Sequence, residues 1–366
     1  MARASRAHQG GSPILMRAGI PLVGGQMVAH ARKRNYPLMI SANAFSVRHT
    51  TGDRKGTFRA FRKNLSHLDG LDCALDSAGY TAAVLYGGFP WEIEEYCELA
   101  ASRAWTWASA PDLCCEPQIA SDRAMRLLRI AGTARLYGQA RRITERLGGQ
   151  PLMPVLQGWE PQEYRQCFEW MPIVEWPELV GIGSVCRRHI HGPNGLIAVL
   201  REVDSFLPPH CKLHLFGVKS SALAYLIGDG RSARRASERY RDRIQSADSQ
   251  AWDLSARVGR RTGRTMEYRL GHLDAWMQRQ DRQQQGPPKT IDPDNDAALQ
   301  QIKQTIRDIV GMHLANGVVD DVIDYDDARM MLDRSSCWAS AYAQQHGLVA
   351  DIDEEQILEW LADTPI

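Results

Sequence analysis

The chain has 366 residues, 44% of them hydrophobic and 24% charged, with a formal net charge of +1. Such a profile belongs to a globular protein that holds one large barrel domain or two ordinary ones. It excludes a polycationic coat protein, and no run of eighteen apolar residues offers a membrane-spanning helix.

In chain order, the segment MARASRAHQGGS is basic and is followed by only a short apolar stretch, Ile14 to Met16. It reads as a mobile or nucleic-acid-facing tail rather than a secretory signal, and a cytoplasmic location is expected. From about residue 37 to 250, short apolar runs alternate with amphipathic helical patterns. The runs are 37–45, 71–80, 105–112, 151–159, 178–186, 212–218 and 243–248, with an eighth near Ile14 or after residue 250. Between them, Glu92, Glu94, Glu95 and Glu98 give a helix near 91–103 an acidic start and outer side. Leu136, Ala140, Ile143 and Leu147 keep the spacing of one buried helical face, as do Leu196, Val199, Leu200, Val203 and Leu207. Pro193 suits the first turn of that second helix and Pro208 its end. This alternation implies parallel strands with right-handed crossovers, best met by a (β/α)8 TIM barrel over residues 1–280. An open doubly wound sheet is the runner-up, disfavoured by the lack of a Gly-x-Gly-x-x-Gly turn or a Walker loop. Residues 281–296 are polar and proline-bearing and read as a linker, and 297–366 as a helical C-terminal extension.

Charge is unevenly placed: between Arg231 and Arg264 there are ten arginines against four acidic residues. The eight cysteines form no regular framework and read as free thiols. Neither Cys186 with His189 and His191, nor Cys211 with His210 and His214, nor the Cys114–Cys115 pair has a four-ligand spacing, so no metal is expected.

Barrel chemistry gathers at the C-terminal ends of strands. The residues expected there are Asp76 and Tyr80, Asp112, Gln157 and Gly158, Gly183 and Ser184, Phe216 and Gly217, and Asp248. A buried carboxylate such as Asp112 accepts the N1–H and N2–H of a guanine. Gln157 and a backbone N–H near Gly183 suit its O6, the glycine letting a base come close. Tyr80 and Phe216 suit a stacked ring. Two further carboxylates suit displacement at an anomeric carbon, one as nucleophile and one moving protons. An Asp after a strand also commonly caps a helix, and both Asp76 and Asp112 precede turn-like residues.

The segments LDSAGYTA, PVLQGWEPQEY, LVGIGSVCRR, LHLFGVKSSAL and SADSQAWD, in that order over residues 36 to 257, resemble the queuine and archaeosine tRNA-guanine transglycosylase superfamily. They are most similar to its DNA-directed branch, the DpdA family of phages and bacteria. The resemblance implies a barrel enzyme, without a redox cofactor, that exchanges guanine in DNA for a free 7-deazaguanine base such as 7-cyano-7-deazaguanine (preQ0). It implies Asp248 as nucleophile, Asp76 as acid–base carboxylate and Asp112 as reader of the base edge, assisted by Gln157 and Gly183, with Tyr80 and Phe216 stacking. Helper proteins that open DNA are left open as partners. Arg187 and Arg188, with Arg257, Arg260 and Arg261 of the basic run, are expected on phosphates. The tRNA enzymes carry a Cys-x-Cys-x-x-Cys and His zinc site after the nucleophile. Here the only cysteine beyond Asp248 is Cys337, which disfavours tRNA as substrate. A non-catalytic nucleic-acid-binding barrel and a glycosylase that releases the base to water are the remaining rivals.

Overall fold

The computed structural model describes residues 14–186, 188, 190, 193–218, 220–227, 240–253, 256 and 265–285. The described residues through Ser249, with Gln280–Gln285, make one compact unit, and Gln250–Arg279 belong to a second. The strands are β1 (Leu15–Ile20), β2 (Leu38–Ser41), β3 (Ser46–Arg48), β4 (Phe58–Phe61), β5 (Cys73–Asp76), β6 (Val155–Leu156), β7 (Leu179–Ile182), β8 (Lys212–Leu215) and β9 (Ile244–Ser249). The helices are α1 (Gln26–Arg34), α2 (Gly79–Tyr86), α3 (Ile93–Ala101), α4 (Arg123–Arg146), α5 (Pro161–Trp170), α6 (Leu196–Phe206), α7 (Leu223–Leu226), α8 (Tyr240–Arg243) and α9 (Met266–Gln285).

Seven strands form one sheet in the order β5-β2-β1-β9-β8-β7-β6, every neighbour parallel. The sheet is curled. Met39 of β2 and Ala74 of β5 share a buried cluster with Trp107 and Met153, against which Leu179 of β7 and Phe216 pack. In a flat sheet with strands about 4.8 Å apart, β5 and β6 would stand roughly 29 Å from each other. Residues 107–110 touch both edges: Ala108 bridges Leu75 of β5, and Ser109 bridges Met153 just before β6. The N–H groups of Ser109 and Ala110 donate to Leu75 and Met153 at 2.9 and 2.8 Å.

Helix starts follow local chemistry. Glu92 and Glu95 form a capping box on α3, as do Glu160 and Glu163 on α5, where Pro161 opens the first turn. Asp122 caps α4 by accepting the N–H of Met125 at 2.8 Å. Buried Arg126 of α4 meets Glu163 at 2.9 Å and Glu160 at 2.7 Å, locking α4 to α5.

Several expectations are revised. The eighth strand is β1, the alternative near Ile14, while 105–112 makes isolated bridges rather than a regular strand. Pro193 lies outside α6, whose N-cap is Gly195. The helix α9 continues through Gln285, so residues 281–285 are helical although the polar composition reads as linker. The antiparallel hairpin of β3 and β4 has no counterpart among the expected elements. Residues 286–366, with the rest of the linker and the expected C-terminal extension, lie outside the described residues. In the second unit, Asp253 pairs with Arg269 at 2.5 Å.

Candidate active site

The C-terminal ends of β5, β7, β8 and β9, with the loops after residues 110 and 156, bring the expected residues to one end of the sheet. Asp76 ends β5 in register with Ser41 of β2. The chain then turns sharply. Ala78 takes φ 69° and leads directly into α2, and its N–H donates to Asp76 Oδ2 at 3.1 Å. Asp76 is therefore not the N-cap of α2. Burial pushes its carboxyl up to about 7, and the neighbouring Asp112 and Asp248 carboxylates add to the shift.

Asp112 is buried and caps nothing. Ser77 Oγ donates to its Oδ1 at 2.7 Å and Gln157 Nε2 to its Oδ2. Burial raises its pKa against these two donors. Two glycines make the arrangement possible. A Cβ on Gly79 would stand 2.5 Å from the Asp112 carbonyl, and one on Gly183 would stand 2.1 Å from Gln157 Nε2. The space beside Gly183 is thus filled by Gln157 rather than left for a base. Its N–H donates to Leu156 O at 2.9 Å and its carbonyl accepts from Tyr164 Oη at 2.8 Å. That corrects the expectation that Gly183 lets a base come close, and leaves its own N–H engaged rather than open to O6.

Ser184, buried at φ 51°, extends the network. Its Oγ accepts the Cys115 N–H at 2.7 Å, and lies 2.6 Å from Gln157 Oε1 and 3.0 Å from Glu116 Oε2. One hydroxyl donates one proton. Both contacts are satisfied when Glu116 is itself protonated, and burial pushes the Glu116 carboxyl in that direction. Of the three non-glycine residues at positive φ among the described residues, Ala78 and Ser184 sit at strand ends of this site, where backbone strain commonly collects. Gly158 lets the loop lie against α5: a Cβ there would meet Tyr164 at 2.9 Å.

Asp248, on β9, is buried and differently held. The N–H of Gly217, a residue at φ 66°, donates to Oδ1 at 2.9 Å. A Cβ at Gly217 would stand 2.7 Å from Cys186 Sγ, so only glycine fits there. His214 Nε2 lies 3.4 Å from the same oxygen, and its Nδ1 is 2.8 Å from Ser246 Oγ. Burial pulls the His214 pKa down, favouring the neutral ring. With Ser246 donating to Nδ1, the imidazole proton sits on Nε2 and faces the carboxylate. His214 is wedged between Trp107 and Phe216, at ring separations of 4.5 and 4.6 Å. Sequence reasoning weighed His214 only beside His210 and Cys211 as a metal candidate and missed its place next to Asp248. The signal was the alternation of KLHLF, which puts His214 and Phe216 on one face, as QSADS puts Ser246 and Asp248. Ser77, Gly79 and Glu116 were missed too, because their roles arise only from packing. Phe216 is half-buried and packs its ring into the interior cluster, while Tyr80 is exposed on α2.

The expectation for Arg188 is overturned. It is buried, and its guanidinium donates to the carbonyls of Ser184, Trp159, Asn194 and Gly158 and to Tyr164 Oη, with Trp159 stacked 4.0 Å away. With its donors spent on four carbonyls and a hydroxyl, it ties the strand-end loops together instead of gripping phosphate. Arg187, Arg257, Arg260 and Arg261 lie outside the described residues. Among those described, no three His, Cys, Asp or Glu side chains are grouped to hold a metal, and no helix is long and apolar enough to cross a membrane.

A curled parallel sheet that gathers buried carboxyls at the C-terminal ends of its strands defines a TIM-like scaffold. A family model, DpdA (DeoxyPurine in DNA protein A), matches residues 57–267, and the chain belongs to this family. Membership associates it with deazapurine modification of DNA, with DNA as the substrate. None of the curated proteins compared with the chain matches it.

Proposed function

We propose that this protein is a DNA-guanine transglycosylase, exchanging guanine in DNA for a free 7-deazaguanine such as 7-cyano-7-deazaguanine through a covalent Asp248–nucleoside intermediate. The observation that carries the reading is the pairing of Asp248, held by the Gly217 N–H, with Asp76, whose carboxyl is pushed up to about 7. Asp248 attacks C1′ and guanine departs as Asp76 delivers a proton. Asp76 then takes a proton from the incoming base, whose nitrogen displaces Asp248. Two inversions retain configuration. An acid–base group that titrates near neutrality both gives and takes a proton at working pH.

Asp112 reads the donor edge of the base, its two oxygens aimed by Ser77 and Gln157. Gln157, Gly158, Gly183 and Ser184 act by holding Asp112, and Tyr80 and Phe216 flank the ring. Arg187, Arg257, Arg260 and Arg261 contact phosphates. We further read residues 107–110 as the eighth stave of a (β/α)8 barrel, because they bond to both edges of the seven-stranded sheet.

The test is incubation of the purified chain with labelled 7-cyano-7-deazaguanine and either DNA or tRNA, beside Asp248→Asn. Label entering DNA alone, with the rate cut on the order of 10⁴-fold or more in the folded variant, is the expected result. Label entering tRNA instead, free guanine released without incorporation, or a variant as active as wild type would each overturn it.

A further inference from the structure

A strongly one-signed stretch of the described chain lies outside the site. Residues 46–63 carry six lysines and arginines against a single acidic residue, Asp53. They form the β3–β4 hairpin, with Ser46 opposite Phe61 and Arg48 opposite Phe58. Its root is on the catalytic face. The hairpin leaves β2 five residues after Ser41, the register partner of Asp76. We propose that this hairpin is a DNA-backbone clamp, an extended basic arm that grips phosphates beside the nucleotide being exchanged. The proposal rests on the transglycosylase reading for the identity of the polymer.

Three observations carry it. First, Arg54, Lys55, Arg59, Arg62 and Lys63 are all exposed, and none of the five joins an ion pair among the described residues. An ordinary surface intersperses the two signs, which lowers its field; here one sign dominates. Second, the arm is riveted rather than loose. Phe58 and Phe61 pack on Trp91 at ring separations of 5.6 and 5.0 Å, and on each other at 5.0 Å. Arg48, the one half-buried cation, is spent internally. It donates to Gly56 O at 2.7 Å and to Tyr86 Oη, and stacks 4.7 Å from the Tyr86 ring. Tyr86 ends α2, the helix that starts just after Asp76, so the arm and the acid–base carboxyl share one support. Third, the tip is a built turn. Gly52 and Gly56 both take positive φ, at 72° and 85°, and the Lys55 N–H donates to Gly52 O at 3.0 Å, presenting Arg54 and Lys55 at its end.

Phosphate contacts made this way position a strand without reading its sequence, and they leave a thermodynamic signature. Each neutralised phosphate steepens the fall of log K with log salt by about 0.7–0.9. The experiment measures binding of the full chain to labelled DNA across a salt series, for wild type and for a variant combining Arg54→Gln, Lys55→Gln and Arg59→Gln. Folding is checked by circular dichroism and melting, and Lys55→Gln alone supplies the reading if the triple variant does not fold. The expected result is a slope shallower by about 2 to 3 for the triple variant, with affinity lost, KM for DNA raised and kcat at saturating DNA unchanged. A charge-keeping variant, Arg54→Lys with Arg59→Lys, retains wild-type binding. An unchanged slope in the triple variant overturns the clamp while leaving the enzyme reading intact. A Lys variant as weak as the Gln variant overturns it as well, since shape rather than charge would then matter. A wild-type chain that neither binds nor modifies DNA overturns both.

Discussion

The two sides of the site treat their carboxyls in opposite ways. Around Asp112 nearly every polar atom is engaged: Ser77 and Gln157 hold the carboxyl, Ser184 holds Gln157, and Arg188 holds the Ser184 carbonyl. Asp76 and Asp248 are more sparsely held, with one backbone N–H each, the Ser41 hydroxyl beside Asp76 and, at Asp248, a long approach from His214. A group that recognises a base must keep one direction, and a network supplies that. A group that forms and breaks a bond, or gains and loses a proton, is hindered by every donor committed to its charged form. Rigid on one side and sparse on the other is the division expected for recognition beside chemistry.

The sharpest way to break the comparison is Asp76→Asn. Exchange falls about 10²–10⁴-fold, the usual worth of a positioned acid–base group, while the chain becomes more stable. Between 3.8 and about 7 the folded protein holds a proton that the unfolded chain has released, so wild-type stability falls as pH rises through that window. The neutral amide removes this penalty. Melting curves should show the variant above wild type at pH 8, by roughly 2–4 °C for each kcal/mol recovered, and level with it near pH 4. A variant less stable than wild type at pH 8 would contradict the strained-carboxyl account.

Gly183→Ala tests the networked side. Its methyl displaces the Gln157 amide, and so releases Asp112. A cost of about 1–3 kcal/mol in stability is expected, together with a KM for the incoming base raised more than kcat is lowered. Equal loss in both would mean that the network serves the chemical step.

The smallest effect is expected from His214→Phe, which keeps the ring between Trp107 and Phe216 and removes both nitrogens. If His214 only orients Asp248, kcat falls by about tenfold or less, with KM unmoved and the covalent intermediate still trapped on Asp248. A loss as large as that of Asp248→Asn would make the imidazole a participant.

Much of this was legible in the chain, and the rest failed for physical reasons. Strand ends were readable because apolar runs stop where carboxyls and glycines begin, as at CALDSAGY and IQSADS. Arg188 was misread because a cation after a strand looks the same whether it meets solvent or four carbonyls. The segment from Ser46 to Phe61 was missed as a hairpin because its residues are mostly cations, threonine and glycine, with little apolar alternation; packing on Trp91 supplies what the pattern lacks. The polar end of α9 resembled a linker since glutamine and arginine favour helices and solvated loops alike. Gln280 and Gln284 there find partners in Ser220 and the Ile14 carbonyl that only the fold brings near.

The strand that bears Asp248, the proposed nucleophile, lies beside the first strand of the chain: Asp248 of β9 is in register with Arg17 of β1. On the ribosome, β1 meets β2 early, but its other edge must wait until β9, the last strand of the sheet, is made. Contacts so distant along the chain close slowly, and an unpaired strand edge is exposed to aggregation while it waits. The same delay means that no partly made chain holds Asp248 in place. The Asp248 carboxylate thus reaches its place only when the last strand of the sheet joins β1 and β8.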